Sequence, residues 1–297
     1  MSLQQPRRVE NLHTDKGKVP VYATGIVAQP WDDYTAEDHA TWATLFERQR
    51  EILPGRASQA FLHAQDAMGM SPHAIPRYTE LNRVLGEATG WQLIGVEGLL
   101  PELDFFDHLA NRRFPVTWWI RKPDQIDYIE EPDLFHDLFG HVPLLMDPLF
   151  ADYMQAYGRG GVKAHAIGPD ALQNLTRLYW YTVEFGLIRE AEGLRIYGSG
   201  IVSSKGESIH ALESDAPNRI GFDLERIMRT RYRIDSYQKT YFVIDSFEQL
   251  IEATRPDFTP IYARLADQPS IPAGEILATD QVLQRGTGAG WASDGDV

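Results

Sequence analysis

The sequence predicts one mostly α-helical domain of packed helices with a few short β-strands. Apolar residues recur at three- and four-residue spacing along much of the chain, which is typical of amphipathic helices. The β-branched and aromatic runs are short, and no internal repeat or low-complexity linker divides the 297 residues. We therefore expect a polar N-terminal arm (1–30), a single domain (31–270) and a C-terminal tail (271–297).

Caps and breakers place the elements of the first half. Thr35 followed by Asp38 resembles a capping box, and the helix that it opens ends at Pro54–Gly55. Glu131-Pro132-Asp133 is expected to open a later helix, because proline is tolerated in the first turn. Between these points we expect helices at 57–68, 78–89 and 101–111, and strands at 91–96 and 117–120.

The second half follows the same pattern. Ser246 is expected to cap a helix, with Gln249 in the capping-box position. The end of the chain, 286–297, is rich in glycine and aspartate and is expected to be loose. The other predicted elements are helices at 149–157, 170–189 and 222–230, a hairpin of 197–203 with 208–212 around Lys205–Gly206, and a strand at 241–244.

Composition excludes several classes of function. The chain has no cysteine, which rules out disulfides, thiolate metal sites and a cysteine nucleophile. Its 28 basic and 42 acidic residues give a net charge of −14, and no basic stripe offers a nucleic-acid surface. There is no secretory signal and no run near the ~18 apolar residues of a membrane span. We expect a cytoplasmic protein with no nucleic-acid or membrane partner.

Two histidines stand out in the apolar segment EPDLFHDLFGHVPLL. On a regular α-helix the five-residue spacing of His136 and His141 would leave their side chains about 140° apart. Gly140 and Pro143 predict that the helix stops there and that the chain turns His141 back beside His136. A shared metal ion would offset the cost of burying two imidazoles. The alternative is a pair of core histidines bonded to carbonyl oxygens.

A third ligand is available in RLYWYTVEFGL, where Glu184 is the one acid. A buried glutamate needs a cation or a hydrogen-bond partner, and a salt bridge to Arg177 or Arg121 is the alternative to a metal. Two histidines and a carboxylate form the facial triad of non-haem Fe(II) oxygenases. Zinc with these ligands would give a hydrolase, but the HExxH pattern is absent because Asp137 follows His136. Iron is therefore favoured.

Four motifs carry a specific resemblance. RFPVTWWIRK, EPDLFHDLFGHVPLL, LYWYTVEFGL and YGSGIVSSKGE, in this order, resemble the catalytic domain of the pterin-dependent aromatic amino acid hydroxylases, and most of all the short bacterial phenylalanine hydroxylases. The resemblance extends from about residue 32 to 265. It implies that 31–270 is an iron- and pterin-dependent catalytic domain in which His136, His141 and Glu184 bind Fe(II).

The resemblance also implies a pterin site. Phe105 matches the phenylalanine that stacks on the pterin, and the backbone of Gly98, Leu99 and Leu100 matches the segment at the pterin edge. Asp137 stands where animal members carry a glutamate near the pterin. The shorter acid keeps the charge but changes its reach. Tyr179 is expected on the same side.

Further matches imply the amino-acid site. Arg121 resembles the anchor of the substrate carboxylate, and an ion pair with Asp133 or Glu131 is the alternative role. Ser203 matches a serine that lies near the amino-acid end of the substrate and bonds a ligating histidine. The residues expected to form an apolar slot for the ring, each with core packing as the alternative, are Trp180, Phe185, Pro132 and Tyr128.

The implied reaction is ring hydroxylation of free L-phenylalanine to L-tyrosine with O2 and tetrahydrobiopterin or a related tetrahydropterin. Ile129 replaces a threonine of the animal enzymes, so that polar contact with substrate is absent. The chain has no room for their regulatory and tetramerisation segments, so we expect a monomer without allosteric control by substrate. Alternatives are a tryptophan or tyrosine hydroxylase and meta-hydroxylation of phenylalanine. More remote alternatives are a zinc hydrolase and a non-catalytic helical interaction protein.

Overall fold

The computed structural model describes residues 8–14, 17–22, 26–129 and 131–291, and it confirms the mostly α-helical prediction. Two segments wind as π-helical turns, His136–His141 and Trp180–Glu184. The helices of the described part of the chain are α1 (Ala36–Ile52), α2 (Gln59–Ala67), α3 (Tyr78–Ala88), α4 (Glu102–Ala110), α5 (Pro148–Ile167), α6 (Pro169–Tyr179), α7 (Ser199–Val202), α8 (Lys205–Glu213), α9 (Leu224–Arg229), α10 (Phe247–Thr254) and α11 (Thr259–Leu265).

The strands of the described residues form three sheets. They are β1 (Arg8–Thr14), β2 (Gly17–Tyr22), β3 (Gln92–Val96), β4 (Arg113–Thr117), β5 (Leu187–Glu190), β6 (Gly193–Ile196), β7 (Asn218–Gly221), β8 (Thr240–Ile244) and β9 (Val282–Gln284). β1 and β2 pair antiparallel, and β3 and β4 pair parallel. The third sheet is mixed, with the order β6-β5-β8-β7-β9.

The two predicted caps are confirmed, but the capping box forms only at Thr35, because Gln249 Oε1 accepts the Asp245 amide rather than that of Ser246. The Thr35 hydroxyl accepts a hydrogen bond from the Asp38 amide at 3.2 Å, and the Asp38 carboxylate accepts one from the Thr35 amide at 2.9 Å. The Ser246 hydroxyl likewise accepts the Gln249 amide at the start of α10. These side chains bind amides that a helix start leaves without an internal partner, so the sequence defines both starts.

The predicted hairpin at 197–212 is wrong. The segment holds the short helices α7 and α8, and Ser204 caps α8 by accepting the Glu207 amide at 3.3 Å. The apolar Ile201 and Val202 favour a strand by composition, but both are fully buried in the core as parts of a helix. Packing outweighs local propensity here.

Other boundaries differ as well. The helix predicted at 170–189 ends at Tyr179, because the backbone widens and closes a five-residue hydrogen bond from the Phe185 amide to the Trp180 carbonyl at 2.9 Å. The chain then enters β5, which was not predicted. The strand expected at 117–120 lies at Arg113–Thr117, and the helix expected at 149–157 extends to Ile167.

The segment before α1 and the C-terminal end of the described chain both attach to the domain. The Val27 amide donates to the Gly95 carbonyl at 2.9 Å, and a Cβ at Gly95 would lie 2.4 Å from the Val27 oxygen, so the approach requires glycine. At the other end β9 pairs with β7, and the Gly286 amide donates to Asn218. The prediction of a loose end is therefore wrong for 286–291, and 292–297 lie outside the described residues.

One continuous apolar core supports the histidine segment. Phe135 and Phe139 stack at 4.8 Å, and Trp42 and Phe46 of α1 contact them edge-on. All four rings are buried. The rigid packing fixes the turn that carries the two histidines. No helix of the described residues is long and apolar enough to cross a membrane.

Candidate metal centre

The two histidines lie on a π-helical turn rather than on either side of a helix stop. Asp133 caps this turn by accepting the His136 amide at 3.0 Å, and the Val142 amide closes a five-residue bond to the Asp137 carbonyl at 3.3 Å. In such a turn, residues five apart share a face. The sequence prediction brought the imidazoles together correctly, but the helix does not stop at Gly140.

Gly140 has a different role from the predicted one. A Cβ on this residue would lie 2.8 Å from the Ser199 carbonyl oxygen and 3.2 Å from its Cβ. The glycine therefore allows α7 to pack directly against the histidine turn. Pro132 precedes the Asp133 cap, so it lies outside the first helical turn where it was expected.

Glu184 converges on the same point from the second π-helical turn. His141 Nε2 lies 3.1 Å from Glu184 Oε1, and His136 Nε2 lies 3.6 Å from Oε2. The two Nε2 atoms are 3.0 Å apart. The three side chains are between 5% and 15% exposed. Two imidazole nitrogens and a carboxylate facing one another match the donor set of a non-haem Fe(II) site.

The protonation states also fit a cation. Burial lowers the pKa of His136 to about 4. Burial alone would raise the pKa of Glu184, but the neighbouring His141 and His136 outweigh it and lower this pKa to about 2. Near neutral pH the site therefore offers a neutral imidazole and an ionised carboxylate, which are the forms that bind metals.

Asp137 is a second carboxylate near the histidines. Its oxygens and the imidazole nitrogens of His136 and His141 lie within 4.8 Å of one another. However, its Oδ2 accepts the Thr117 amide at 2.7 Å, and burial raises its pKa to about 7. Both histidine Nε2 atoms face Glu184, and Asp137 is tied to β4. The geometry thus favours Glu184 as the third ligand.

Two serines, Ser199 at the start of α7 and Ser203 at its C-cap, contact the ligand set. Ser203 Oγ donates to the Ser199 carbonyl at 2.7 Å and lies 3.0 Å from His136 Nδ1. Because the Ser203 hydroxyl proton is donated to the Ser199 carbonyl, the hydroxyl oxygen accepts a hydrogen bond from His136 Nδ1–H. The lone pair of His136 Nε2 is then available for a metal. Ser199 Oγ lies 3.0 Å from Glu184 Oε2 and 3.0 Å from the Val183 carbonyl oxygen.

A cavity of about 270 Å³ opens on one side of this centre. Phe105 and Tyr179 meet there edge to face at 5.9 Å, and the Tyr179 ring lies over His141 with centroids 6.2 Å apart and planes at 29°. Leu99 stands at its mouth, 81% exposed. All the residues that the sequence assigned to a pterin line this cavity: Gly98, Leu99, Leu100, Phe105, Asp137 and Tyr179.

Arg121 is already paired in the structure. Its Nε and Nη2 donate to the two Asp133 oxygens at 2.8 and 2.9 Å, and its amide donates to Oδ2. Burial would raise the pKa of Asp133, but Arg121 outweighs that effect and lowers it. The predicted ion pair therefore forms with Asp133. Asp133 thus occupies the Nε–Nη2 edge of the guanidinium, which leaves Nη1 to bind another anion.

The residues assigned to the aromatic slot are dispersed. Trp180 and Phe185 contact each other at 4.8 Å. A Cβ on Gly200 would lie 2.9 Å from Phe185 Cζ and 3.2 Å from Glu184 Oε2, so that ring borders the carboxylate. Pro132 lines the cavity instead. Tyr128 is 60% exposed at the surface.

Sequence reasoning missed Ser199 and Thr117. Ser199 stands four residues before Ser203, so both hydroxyls share a helical face. The incorrect hairpin concealed that spacing. Thr117 contacts Asp137 through its backbone amide, and no side-chain pattern marks such a contact.

Comparison with known proteins gives one consistent family. Residues 22–264 match the family model described as biopterin-dependent aromatic amino acid hydroxylase. A phenylalanine-4-hydroxylase of Ralstonia nicotianae is 62% identical over 269 residues, covering 91% of this chain and 85% of the relative. That of Chromobacterium violaceum is 60% identical, covering 91% and 90%.

A solved structure agrees with these relatives. The iron- and phenylalanine-bound crystal structure of the C. violaceum phenylalanine hydroxylase is similar, with a TM-score of 0.84 and 59% identity. The match covers 88% of this chain and 94% of that one. At 59% identity the two chains are similar in sequence as well as in fold.

Proposed function

The chain belongs to the biopterin-dependent aromatic amino acid hydroxylase family, and we propose that it hydroxylates free L-phenylalanine to L-tyrosine. The reaction uses O2, a tetrahydropterin such as tetrahydrobiopterin, and a non-haem Fe(II). The observation that carries this proposal is the convergence of His136, His141 and Glu184 at the end of an aromatic-walled cavity.

The three side chains would hold the iron. Their nitrogen and oxygen atoms already converge, and burial keeps His136 neutral. When bound, the iron and the pterin supply activation of O2, which the protein's own groups cannot provide. Ser203 keeps the His136 imidazole in the tautomer with a free Nε2, and Ser199 orients the Glu184 carboxylate.

The cavity would take the pterin. Phe105 offers a ring for stacking, and Tyr179 supports that ring edge-on. The backbone of Gly98, Leu99 and Leu100 supplies polar groups at one wall, and Asp137 contributes a carboxyl group near the histidines. The largely apolar lining would exclude water from a bound pterin.

The amino acid would lie on the other side of the metal. Arg121 Nη1 would bind its carboxylate, and Asp133 would hold the guanidinium in place for that contact. Phe185, beside Glu184, and Trp180 would form the wall against which the substrate ring lies. We also propose Pro132, Tyr128 and Ser203 for this ligand, as the family motifs imply. Pro132 would then border both ligands, because it lines the cavity.

The remaining assignments are also proposals. We propose that 31–270 form the catalytic domain between an arm (1–30) and a tail (271–297), and that the protein acts as a cytoplasmic monomer. Its partners would be small molecules only. Sedimentation of the purified chain tests the monomer, with a single species near 33.7 kDa as the expected result.

Product analysis tests the function. Protein reconstituted with Fe(II) is supplied with L-phenylalanine, tetrahydrobiopterin and O2, and the products are separated by chromatography. We expect 4-hydroxylated product, L-tyrosine, in preference to the meta isomer. L-tryptophan and L-tyrosine in parallel test the alternative substrates. Activity that requires Zn(II) and no pterin would contradict the proposal in favour of a hydrolase.

A further inference from the structure

The indole of Trp180 is held by one hydrogen bond and two neighbouring rings. Its Nε1 donates to Gln238 Oε1 at 3.0 Å. The ring stacks on Tyr232 with centroids 4.2 Å apart and planes at 19°, and it contacts Phe185 at 4.8 Å. Stacked rings can slide and rotate in plane, so the hydrogen bond is the contact that fixes the direction of the indole.

Gln238 is itself fixed at both ends. Only 2% of it is exposed, and its Nε2 donates to the Arg233 carbonyl at 2.8 Å. Because the amide nitrogen is engaged there, the amide oxygen must face Trp180, and a flip would lose both bonds. This side chain is therefore a rigid acceptor aimed at the indole.

The backbone of Gln238 is anchored by a buried acid. Its amide donates to Glu207 Oε1 at 3.2 Å, and the Tyr241 hydroxyl donates to the same oxygen. Glu207 is 5% exposed, and Tyr241 lies in β8 within the core. Gln238 is thus connected through Glu207 and Tyr241 to β8 of the five-stranded sheet.

We infer, on the premise of the proposed function, that Gln238 is a positioning residue that sets the tilt of Trp180 and thereby the aromatic wall for the substrate ring. Gln238 lines no part of the cavity assigned to the pterin, and it hydrogen-bonds to none of the three proposed iron ligands. It acts on the substrate through the indole alone. Loss of the Gln238 side chain should weaken the binding of phenylalanine and leave the pterin KM nearly unchanged.

A double-mutant cycle separates this role from a structural one. Gln238→Leu removes the acceptor at similar volume, and Trp180→Phe removes the N–H donor and keeps an aromatic ring. For the parent, both single variants and the double variant, we measure the Kd of L-phenylalanine on the Fe(II)-loaded protein under anaerobic conditions, the KM of tetrahydrobiopterin and the Tm.

We expect Gln238→Leu to raise the phenylalanine Kd about three- to tenfold, as the net contribution of one hydrogen bond suggests. The pterin KM should stay within about twofold. In the Trp180→Phe background the same substitution should change the Kd by less than about twofold, because the donor is already gone. Any loss of the Arg233 bond would lower Tm in both backgrounds equally.

Two results would overturn the inference in distinguishable ways. If the parent makes tyrosine and Gln238→Leu raises the Kd by the same factor in both backgrounds, Gln238 only supports the fold and the proposed function stands. If the iron-loaded parent neither binds phenylalanine nor makes tyrosine, the proposed function fails, and the inference fails with it.

Discussion

The two sides of the candidate metal centre are built differently. On the cavity side, Phe105 touches Phe106 and Tyr179 through ring edges, and Leu99 extends into solvent. On the other side, Arg121 and Trp180 each donate hydrogen bonds to a buried partner, Asp133 and Gln238 respectively. Packing contacts hold the first side, and directional bonds hold the second.

This difference has a physical consequence. Ring-edge contacts are non-directional and change gradually with position, so a cavity built on them adapts to its ligand. Hydrogen bonds from buried groups fix orientation, and their loss leaves a polar atom unsatisfied. We therefore expect substitutions on the amino-acid side to reduce binding and activity more than those on the cavity side. The largest losses are expected at the proposed metal ligands, which lie between the two sides.

The largest effect is expected at the boundary between the sides. Glu184→Gln keeps the volume but removes the carboxylate that faces both histidines. Iron binding should fall severely and tyrosine formation should cease, while the circular dichroism spectrum and Tm stay close to those of the parent. Iron content by plasma emission and tyrosine by chromatography provide the measurements.

Glu192→Gln is the matched control, because the Glu192 side chain is 85% exposed. It should leave both properties unchanged. A Glu184→Gln protein with normal iron content and normal tyrosine production would contradict the ligand assignment.

On the amino-acid side, Arg121→Ala should lower kcat/KM for phenylalanine at least tens-fold. Truncating one partner of a buried charged pair costs about 2–5 kcal/mol. Arg121→Lys keeps the charge but loses the fork, so it should lose less. Phenethylamine, which lacks the carboxylate, should be a poor substrate for the parent and should lose less activity than phenylalanine in either variant.

The phenethylamine comparison controls for structural damage. Arg121→Ala also leaves Asp133 buried without its counter-charge, which destabilises the cap of the histidine turn. A collapsed site would lower the activity on both compounds equally. Equal losses would show that Arg121 serves only to hold Asp133.

Ser199→Ala should weaken metal binding about tenfold, since removal of a hydrogen bond to a ligand costs at least that in comparable sites. Ser199 contacts Glu184 Oε2, so its loss frees the carboxylate to rotate. Titration with Co(II), followed by its visible absorption, gives the affinity without turnover.

Ser208→Ala is the control for that titration. Ser208 is equally buried nearby, and its hydroxyl donates to the Ile201 carbonyl away from the ligands. Cobalt affinities that fall alike in both variants would point to general loosening of the two short helices, and the assignment of Ser199 would then be wrong.

The smallest effect is expected on the cavity side. Phe105→Ala should raise the tetrahydropterin KM about two- to tenfold, because a stacked ring adds on the order of 0.5–1.5 kcal/mol beyond burial. Steady-state kinetics with varied pterin at saturating phenylalanine measures this change. An unchanged pterin KM would show that Phe105 does not contribute to pterin binding.

The sequence predicted the convergence of the three proposed metal ligands better than the backbone that holds them. His136, His141 and Glu184 stand out because polar residues in apolar segments need partners, and that rule does not depend on local conformation. The π-helical turns were not predicted, because five-residue closure leaves no periodic pattern in so short a segment. Gly140 was interpreted as the end of a helix, whereas the structure shows that a glycine is needed there because Ser199 packs against it.

The sheet was also hard to predict. β5, β6, β7 and β9 are three or four residues long. β6 forms a tight hairpin with β5, but β5, β7 and β9 also pair with strands far along the chain. Capped helices such as α1 carry their own start and face, so they were predicted closely. Local patterns therefore defined the capped helices, whereas long-range pairing defined most strands of the five-stranded sheet.

The most direct test of the two-sided account is a crossed measurement of KM. Phe105→Ala and Trp180→Ala are compared with the parent for the KM of tetrahydrobiopterin and of L-phenylalanine under the same conditions. The account predicts that Phe105→Ala raises mainly the pterin KM and that Trp180→Ala raises mainly the phenylalanine KM. If each substitution raises both values by similar factors, the two ligands do not occupy separate sides of the metal.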